Sequence, residues 1–539
     1  MKNTLFMQSP EQLLSTLNKL VSIPSVTLSD AEKQFPFKVE QILKEIPYFK
    51  ENTSHLKNHP TTDERFVLTA LYKHVEAVKT VIMISHFDVV DVDDYGDLNH
   101  LAFQPIELTK ALHERIDELS LEAREDLKSN EWLFGRGTMD MKCGLVQHMS
   151  LLEKAASEEW KINLLLVTVP DEEVNSAGMR EVIPKLLDIS KEHQLTYTLF
   201  LNSEPMFSQV PQDENFYFYT GSIGKIMPAA LCFGKETHVG EPLSGINAGW
   251  MSSVLSQEIE WNMNLCESVN GVMSPPPTLL LQRDLKKDYS TKIPHRSVSL
   301  YNVLLMQRNA SDVMNQMKEI AELAALKIEK FIKERYQSFH VTSSESTKVR
   351  VLLYEELRHY ACRKTSEEHI SNLEKSIIYD STINDNREQT IEIVDQISMI
   401  CSELGPMIVL FYSPPYYPAI SSNNHSIIQE LSKTIIEYTK DQFSYDLQPV
   451  EYFNGISDLS YASLQAEISE MHKYNTNLPG GPSLYTIPFE EMSEFDAPVL
   501  NVGPYGKDAH KKTERLHIPF AFEKLPRILE HLLYKHISQ

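Results

Sequence analysis

The chain contains 539 residues, of which 42% are hydrophobic and 23% charged, which is typical of a globular protein. A chain of this length is too long to fold around one hydrophobic core, so we expect two or more domains. The formal net charge is -24 at pH 7, and so acidic a surface repels nucleic acid and anionic lipid. Composition therefore argues against nucleic acid and membranes as partners.

Cysteine content and the N-terminus both predict a cytoplasmic protein. The five cysteines are scattered, odd in number and form no CxxC pair, so a disulfide framework is not expected. Residues 1–26 place apolar side chains at helical spacing but lack the unbroken apolar core of a signal peptide. Because no apolar run reaches about 18 residues, we predict no membrane-spanning helix.

The first part of the chain alternates predicted helices with short apolar strands. Residues 10–22 have the leucine spacing of an amphipathic helix, and helices are also expected at 142–157 and 178–192. Apolar runs that end in polar residues are typical of buried strands, and they occur at 78–90, 161–176, 197–205 and 497–504. This alternation predicts an α/β sheet with helices on both faces, with ligands bound beyond the carboxyl ends of the strands.

The pattern changes after about residue 215. A segment with β-like alternation begins there, followed by an expected strand at 296–307 and a long amphipathic helix at 311–335. The α/β pattern resumes at about 407–420, and the chain ends in a helix at about 520–537. We therefore predict an α/β domain in two parts with a separate α+β domain inserted between them, in the ranges 1–215, 216–405 and 406–539.

His86 and Asp88, in SHFDVV at the end of a predicted strand, form the first candidate site. Imidazole suits zinc, and a metal-bound histidine needs a second-shell acceptor that fixes its tautomer. Both side chains of an HxD pair on a strand point to one face, so Asp88 could serve His86 in this way. The alternative is a structural His–Asp pair, which is the commoner case when such a pair stands alone.

Two acidic motifs allow both a structural and a metal-binding interpretation. Asp140, in GRGTMD, precedes a predicted helix, so it could cap that helix or bridge two cations. The run Asp171–Glu172–Glu173 follows an apolar strand. These acids could decorate the first turn of a helix, or they could supply one metal ligand and a general base acting on metal-bound water.

Glu204, after the strand ending in NSEP, and His510, in DAHKKTERLHI, complete a set of two histidines and four carboxylates. Two cations roughly 3.5–4 Å apart would use this set fully. Its donors suit zinc, with cobalt or manganese as substitutes. The sequence contains no HExxH, GxSxG, P-loop or GxGxxG motif, which argues against single-zinc peptidases, serine hydrolases, kinases and dinucleotide-binding enzymes.

The order and spacing of these motifs resemble the M20 metallopeptidase family, which is aminoacylase- and carboxypeptidase-like. The motifs are SHFDVV, GRGTMDMKCG, PDEEVNSAGM, NSEP and DAHKKTERLHI. FNGISDLSYA (453–462) resembles the family's late Gly-x-Ser-Asp segment, and KETHVGEPLSGINA (235–248) resembles the lid segment that carries a functional histidine. The length and the large insert resemble the branch of arginine utilization (RocB-like) proteins.

This resemblance implies a fold and a metal content. The implied fold is a zinc-peptidase-like α/β/α sandwich, the catalytic domain, with an inserted α+β lid domain of the dimerisation type. Two zinc ions per chain are implied. His86, Asp140 and Glu204 would hold one of them. Asp140 would also bridge to the other, together with Glu173 and His510.

The resemblance also implies catalytic roles. Glu172 would be the general base, and Asp88 would orient His86. His238, from the lid, would bind the carbonyl oxygen as it becomes an oxyanion. A cis peptide bond is expected between Asp140 and Met141, a strained bond that is tolerated at functional sites.

The implied activity is hydrolysis of an amide bond in a small peptide or an N-acyl amino acid. One alternative is a deacylase or deacetylase of N-acyl amino acids in arginine or amino-acid catabolism, which has the same chemistry and a different pocket. Another is a non-catalytic, metal-stabilised binding protein. Arg296, on a predicted lid strand, and Asn247, in the lid motif, are candidate substrate-binding residues, although a solvated surface arginine is an equally good interpretation of Arg296.

Two regions depart from the family pattern. Residues 95–130, between SHFDVV and GRGTMD, are long and helical, and residues 340–405 lengthen the lid. The family implies a homodimer through the lid domain. The alternative is that residues 340–405 block that contact or replace the second subunit.

Overall fold

The computed structural model describes residues 5–209, 213, 215–341 and 347–538. Contacts between residues divide the chain into two compact units. Unit 1 comprises Met1–Ile223, Ile420–Leu464 and Glu490–Gln539. Unit 2 comprises Gly224–Ala419 and Gln465–Phe489, so the chain enters it twice.

The β-strands are numbered along the chain. They are β1 (Leu56–Pro60), β2 (Phe66–Tyr72), β3 (Lys79–His86), β4 (Trp132–Phe134), β5 (Asn163–Val169), β6 (Thr196–Asn202), β7 (Phe216–Tyr219), β8 (Gly221–Ser222), β9 (Gly224–Phe233), β10 (Ser268–Val269), β11 (Val272–Met273), β12 (Thr278–Asp284), β13 (Arg296–Leu305), β14 (Arg350–Leu353), β15 (Met407–Tyr417), β16 (Ile420–Ser421), β17 (Leu447–Val450), β18 (Val499–Asn501), β19 (Gly506–Lys507) and β20 (Arg515–His517).

The α-helices are numbered in the same way. They are α1 (Pro10–Val21), α2 (Asp30–Leu43), α3 (Pro47–Glu51), α4 (Pro105–Glu114), α5 (Leu121–Ser129), α6 (Lys142–Glu158), α7 (Ala177–His193), α8 (Ala248–Ile259), α9 (Ala310–Ser338), α10 (Tyr354–Lys364), α11 (Glu367–Ile378), α12 (Asn386–Ile400), α13 (Ser426–Phe443), α14 (Ile468–Thr476), α15 (Phe489–Ser493) and α16 (Leu525–Ser538).

Unit 1 is built on an eight-stranded mixed sheet with the order β1-β2-β5-β3-β6-β18-β7-β17. Strands β5, β3, β6 and β18 run parallel to one another at its centre. The residues of β5 are all buried, as are those of β3 after Lys79. Continuous apolar strands of this kind are expected where a parallel sheet is covered on both faces.

Strand β3 shows how both faces of the sheet are covered. Val81 and Met83 belong to one core cluster, together with Leu145 and Met149 of α6. The residues between them point to the opposite face because side chains alternate along a strand, and Ile82 is fully buried as well. The predicted α/β sheet between helices is therefore confirmed.

The predicted helices of unit 1 are present with small differences at their ends. Helix α1 begins where Ser9 accepts a hydrogen bond from Gln12 N and Gln12 reaches back to the Ser9 backbone, which is a capping box. Helices α6 and α7 occupy 142–158 and 177–193. None of the helices in the described part of the chain combines the length and hydropathy of a bilayer-spanning segment.

Unit 2 is built on a five-stranded sheet with the order β12-β13-β9-β15-β14. The pairs are antiparallel except for β14 and β15. One face of β9, including Ala229 and Leu231, packs in a core with residues of α10 and α12, such as Leu357 and Ile397. Residues 347–405, within the segment that was predicted to lengthen the lid, thus supply β14 and three helices that contribute to one core of this sheet.

The boundaries of the units differ from the predicted ranges 1–215, 216–405 and 406–539. Residues 216–223 belong to unit 1, where β7 pairs with β17. Strand β15 was expected in the last part of the catalytic domain, but it pairs with β9 inside unit 2. The reason is that a buried apolar strand has the same sequence pattern in either sheet.

Candidate metal centre

The carboxyl ends of neighbouring parallel strands bring the predicted polar residues together in unit 1. His86 is the last residue of β3, Glu172 and Glu173 follow β5, and Glu204 follows β6. Because these strands are parallel, their carboxyl ends meet at one edge of the sheet. Asp140 lies two residues before the start of α6, and its carboxylate is close to the side chains at this edge.

His86, Asp140 and Glu204 form the first cluster, with one ligand atom of each residue within 4.8 Å of the others. The Nε2 atom of His86 lies 3.2 Å from Asp140 Oδ1 and 3.5 Å from Glu204 Oε1. Glu172 is adjacent, with Oε2 at 3.8 Å from the same nitrogen. All three cluster residues are buried.

Asp140, Glu173 and His510 form the second cluster. The Nε2 atom of His510, from the loop between β19 and β20, lies 3.2 Å from Asp140 Oδ2 and 3.2 Å from Glu173 Oε2. Asp140 therefore belongs to both clusters, with Oδ1 in the first and Oδ2 in the second. This is the arrangement that a carboxylate bridging two cations requires.

Asp88 contacts the site differently from the prediction. His86 Nδ1 lies 3.0 Å from the backbone oxygen of Asp88 and 3.6 Å from its carboxylate, so the backbone oxygen is the nearer acceptor. The Asp88 carboxylate instead accepts hydrogen bonds from the backbone N–H groups of Glu172 (3.1 Å) and Glu173 (3.3 Å), and from the hydroxyl of Thr27 (2.9 Å). It therefore holds the backbone of the two glutamates.

The structure separates the structural interpretations of the two acidic motifs, and the helix-cap interpretation of Asp140 is wrong. The helix after Asp140 has no side-chain cap, and its first residue is Lys142. Helix α7 begins only at Ala177, so Glu172 and Glu173 precede it and do not lie in its first turn. The Asp171 carboxylate does accept a hydrogen bond from Ala177 N, at 3.0 Å, so this acid contacts the start of the helix. The expected cis peptide bond between Asp140 and Met141 is present.

Burial and mutual proximity shift the pKa values of these groups. Burial raises the pKa of Glu172 well above its ordinary value and that of Glu204 to about 7. Burial also favours the neutral form of Asp140, but hydrogen bonds from His510 and His86 outweigh it and hold the pKa well below its usual range. Burial opposes protonation of His510, yet Asp140 and Glu173 raise its pKa to about 11.

This donor set fits two divalent cations. Each cluster offers one imidazole and two carboxylates, which suits zinc, cobalt or manganese. Glu204 Oε1 is buried and accepts no hydrogen bond among the described residues. A buried carboxylate oxygen is costly without a positive partner, and a cation between His86, Asp140 and Glu204 would supply one.

The three remaining predicted residues belong to unit 2. His238 is exposed, and its Nδ1 accepts a hydrogen bond from Gly240 N at 3.1 Å. The guanidinium of Arg296 pairs with the buried carboxylate of Asp395, so it is not a solvated surface arginine. Asn247 Oδ1 caps α8 by accepting from Trp250 N at 3.2 Å.

Three buried charged residues near the clusters were given no individual role from the sequence: Glu32, Arg65 and Asp458. Arg65 pairs with Glu32 and with Asp171, the residue before Glu172. Asp458, in FNGISDLSYA, is buried, which raises its pKa to about 7. For Asp458 the signal in the sequence was the resemblance of its segment to the family's Gly-x-Ser-Asp motif. Glu32 and Arg65 are charged residues near apolar segments, and such residues are usually solvated.

Comparison with known proteins gives the class of this enzyme. The sequence matches the model described as Peptidase family M20/M25/M40 over residues 82–535, so the chain belongs to this family. It is a hydrolase of a metal-dependent family, as the resemblance predicted.

Two full-length relatives come from Bacillus subtilis (strain 168). The chain is 42% identical over 538 residues to the uncharacterized protein YqjN, covering 99% of this chain and 97% of that protein. It is 28% identical over 547 residues to Protein RocB, covering 98% and 96% respectively. The M20 family metallo-carboxypeptidase Sso-CP2 from Sulfolobus solfataricus has the same fold, with a TM-score of 0.54, 13% identity and coverage of 98% and 99%.

Proposed function

We propose that this chain is a two-metal, zinc-dependent hydrolase that cleaves an amide bond in a small peptide or an N-acyl amino acid. The observation that carries the proposal is the position of Asp140, whose two carboxylate oxygens face separate histidine–carboxylate clusters. A single-metal site would need only one of these clusters. Cobalt and manganese, which accept the same donors, are the expected substitutes.

Bound in the two clusters, zinc would supply a water of pKa roughly 7 and polarise the amide carbonyl. Glu172 would take a proton from the attacking water and then donate it to the leaving nitrogen as the C–N bond breaks. Its position beside His86 (3.8 Å) and its burial support this role, because a carboxylate with a raised pKa is a stronger base.

Other residues of the chain would hold this base and its neighbours in place. The Asp88 carboxylate fixes the backbone of Glu172 and Glu173, and the Asp88 backbone oxygen fixes the orientation of the His86 ring. We assign His238 the role of binding the carbonyl oxygen as negative charge develops on it. Its exposed position in unit 2 leaves the imidazole available to a substrate.

A second candidate function differs in substrate. It is a deacylase or deacetylase of N-acyl amino acids in arginine or amino-acid catabolism, as the resemblance to the RocB-like branch implies, and the full-length likeness to Protein RocB is consistent with that branch. The same residues would perform the same cleavage. Arg296 and Asn247 remain candidate substrate-binding residues, although Arg296 would have to share its guanidinium with Asp395.

Metal analysis paired with a substrate panel tests the proposal. The purified chain should contain about two zinc ions, and it should hydrolyse members of a panel of dipeptides and N-acyl amino acids. A chelator should abolish turnover, and added zinc should restore it. A chain that binds both cations but cleaves nothing would instead be a metal-stabilised binding protein. A chain that binds none after reconstitution would contradict the proposal.

We also propose a homodimer through unit 2. Strand β12 is an end strand of the five-stranded sheet, and β14 lies at the opposite end. Residues 347–405 reach β12 through the ion pair of Glu388 with Arg283. Leu280 of β12 is 53% exposed. Trp261 is 71% exposed, and its backbone N–H donates a hydrogen bond to Pro277 O, directly before β12. An exposed apolar edge strand is a template for pairing with another chain.

A cytoplasmic location is part of the same proposal. The described cysteines are all free, and only Cys362 is not buried. Thiols in this state suit a reducing compartment.

A further inference from the structure

The helical insertion that departs from the family pattern lies against the loop that carries His510. We define the insertion as residues 91–130, which extend the departing segment 95–130 back to Asp91 and contain α4 and α5, and the His510 loop as residues 508–514, between β19 and β20. Two buried arginines connect these segments within unit 1.

Arg515 forms the first connection and is fully buried. Its Nε donates to Asp126 Oδ2 on α5 at 2.8 Å, while Nη1 donates to the carboxylate of Asp508 and, at 3.1 Å, to Thr513 O. Lys507 Nζ also donates to Asp126 Oδ2, at 3.1 Å. Because a guanidinium is planar and its donors are fixed in direction, Asp126 on one side determines where Arg515 holds the loop on the other.

Arg136 forms the second connection, and its side chain is 2% exposed. Nη1 donates to Glu514 Oε2 at the end of the loop (2.8 Å). Nη2 donates to Asp94 Oδ1 (3.1 Å), and Nε to Asp91 O (3.2 Å), at the start of the insertion. Both ends of the loop are therefore tied to the insertion through a buried cation.

His510 is the metal-cluster residue that depends most on such support. Its side chain is 47% exposed, whereas those of Asp140 and Glu173 are 10% and 6% exposed. His510 and Asp508 both have left-handed backbone conformations, with φ of 63° and 58°. Residues with a side chain adopt this region at a cost, so surrounding contacts must hold them there.

We propose that the insertion positions His510 and thereby sets the affinity of the second cluster, Asp140–Glu173–His510, for its cation. Asp126 and Arg515 are positioning residues, since neither reaches the cluster itself. This inference rests on the proposed function, because it requires both clusters to bind cations. In the first cluster, His86 ends β3 and Glu204 follows β6, so this cluster should not depend on α5.

An Asp126→Asn variant of the full chain tests this role, because it removes the charge and keeps the shape. Wild type and variant are dialysed against zinc buffered by a chelator over a range of free zinc concentrations, and zinc per chain is measured. The variant should keep the first zinc and bind the second about tenfold more weakly, the low end of the effect of outer-shell changes on metal affinity. Excess zinc should return kcat to the wild-type value, which a general folding defect would not allow.

The matched control is Glu125→Gln on the same helix. Glu125 is exposed, and this variant should bind both zinc ions as the wild type does. Unchanged affinity for both ions in folded Asp126→Asn would overturn the inference. Equal weakening of both sites, or the same loss in Glu125→Gln, would overturn it too.

Two further outcomes keep the inference distinct from the proposed function. If circular dichroism shows that Asp126→Asn does not fold, Asp126→Glu is judged by the same criteria, because it keeps the charge but displaces it by one methylene. If the wild type itself binds no zinc, the proposed function fails and the inference fails with it. Two zinc ions in both proteins with equal affinity would contradict the inference alone.

Discussion

Arg65 Nη1 donates a hydrogen bond to Asp171 Oδ1 at 2.8 Å, and the same nitrogen lies 3.0 Å from Glu32 Oε1. All three side chains are buried. Glu32 also accepts a hydrogen bond from the Asp171 N–H at 3.0 Å. This group therefore fixes Asp171, the residue next to Glu172.

Replacing Arg65 should destabilise the protein strongly. Arg65→Met would leave Glu32 and Asp171 buried without their positive partner, and breaking a buried ion pair costs about 3–5 kcal/mol. Chemical denaturation should show a loss of that order. Arg115→Met breaks the more exposed pair with Asp97 and should cost much less, because solvent screens exposed ion pairs. Equal losses in the two variants would contradict a special role for the buried group.

The two adjacent glutamates should separate chemistry from metal binding. Glu172→Gln should keep both cations and lower kcat by roughly 10²–10⁴-fold, the usual contribution of a general base. Glu173→Gln should weaken the cation of the second cluster instead. Zinc analysis and steady-state kinetics on both variants check this. Near-normal turnover of fully loaded Glu172→Gln would remove Glu172 from its proposed role.

His238 should affect turnover without affecting metal content or folding. Its loss in His238→Ala removes a donor to the carbonyl oxygen and should lower kcat by roughly 10²–10³-fold, with a smaller change in KM. His369→Ala, an exposed histidine on α11 of the same unit, is the control and should behave as wild type. A purely surface role for His238 would make the two variants indistinguishable.

His536 should contribute a pH dependence to stability. Burial lowers its pKa to about 4, against an ordinary value of 6.5, so the unfolded chain binds this proton more readily than the folded one. The contribution is present above pH 6.5 and is lost as the pH falls from 6.5 towards 4. Its limit is about 3 kcal/mol, since one pKa unit corresponds to about 1.4 kcal/mol.

The stability difference between wild type and His536→Gln should therefore shrink as the solution is acidified through that range. Thermal unfolding of both proteins at a series of pH values between about 7.5 and 4.5 measures this difference. The folded and unfolded pKa values of His536 set this approximate pH range. Parallel pH profiles for the two proteins would show that burial does not suppress protonation of His536.

The proposed dimer should be sensitive to charge on the β12 edge. Leu280→Glu places a carboxylate in the exposed apolar edge and should convert the dimer to a monomer in light-scattering measurements. Leu121→Glu, at a residue of unit 1 that is 77% exposed, should leave the mass unchanged. A wild-type mass equal to that of one chain would contradict the dimer directly.

The sequence was most informative where strands are buried and parallel. Runs such as 78–90 and 161–176 end in polar residues because their carboxyl ends meet at the sheet edge, so the sequence pattern alone places His86 and Glu173 together. The Asp140–Met141 cis peptide bond followed from the family resemblance. The catalytic roles of individual residues remain predictions, because the position of a side chain does not establish its part in a reaction.

Long-range partners were beyond the sequence. Nothing near Arg296 indicates that its guanidinium pairs with Asp395, which lies 99 residues further along the chain. The different uses of the Asp88 backbone oxygen and carboxylate depend on distances of a few tenths of an ångström. The return of residues 465–489 to unit 2 also left no signal, because a short helix in loop-like surroundings fits either unit.

The return of the chain to unit 2 at residues 465–489 limits how the two units could be separated by deletion. Within unit 2, the ring of Tyr474 lies 5.1 Å from that of Tyr412 and 4.8 Å from that of Tyr416, and Asn477 O accepts a hydrogen bond from Tyr412 N. Deleting 224–419 alone would leave the 465–489 segment with its aromatic surface uncovered. A lidless hydrolase would therefore need two excisions and two new linkers, so a single recombination event could neither remove this unit nor exchange it for that of a relative.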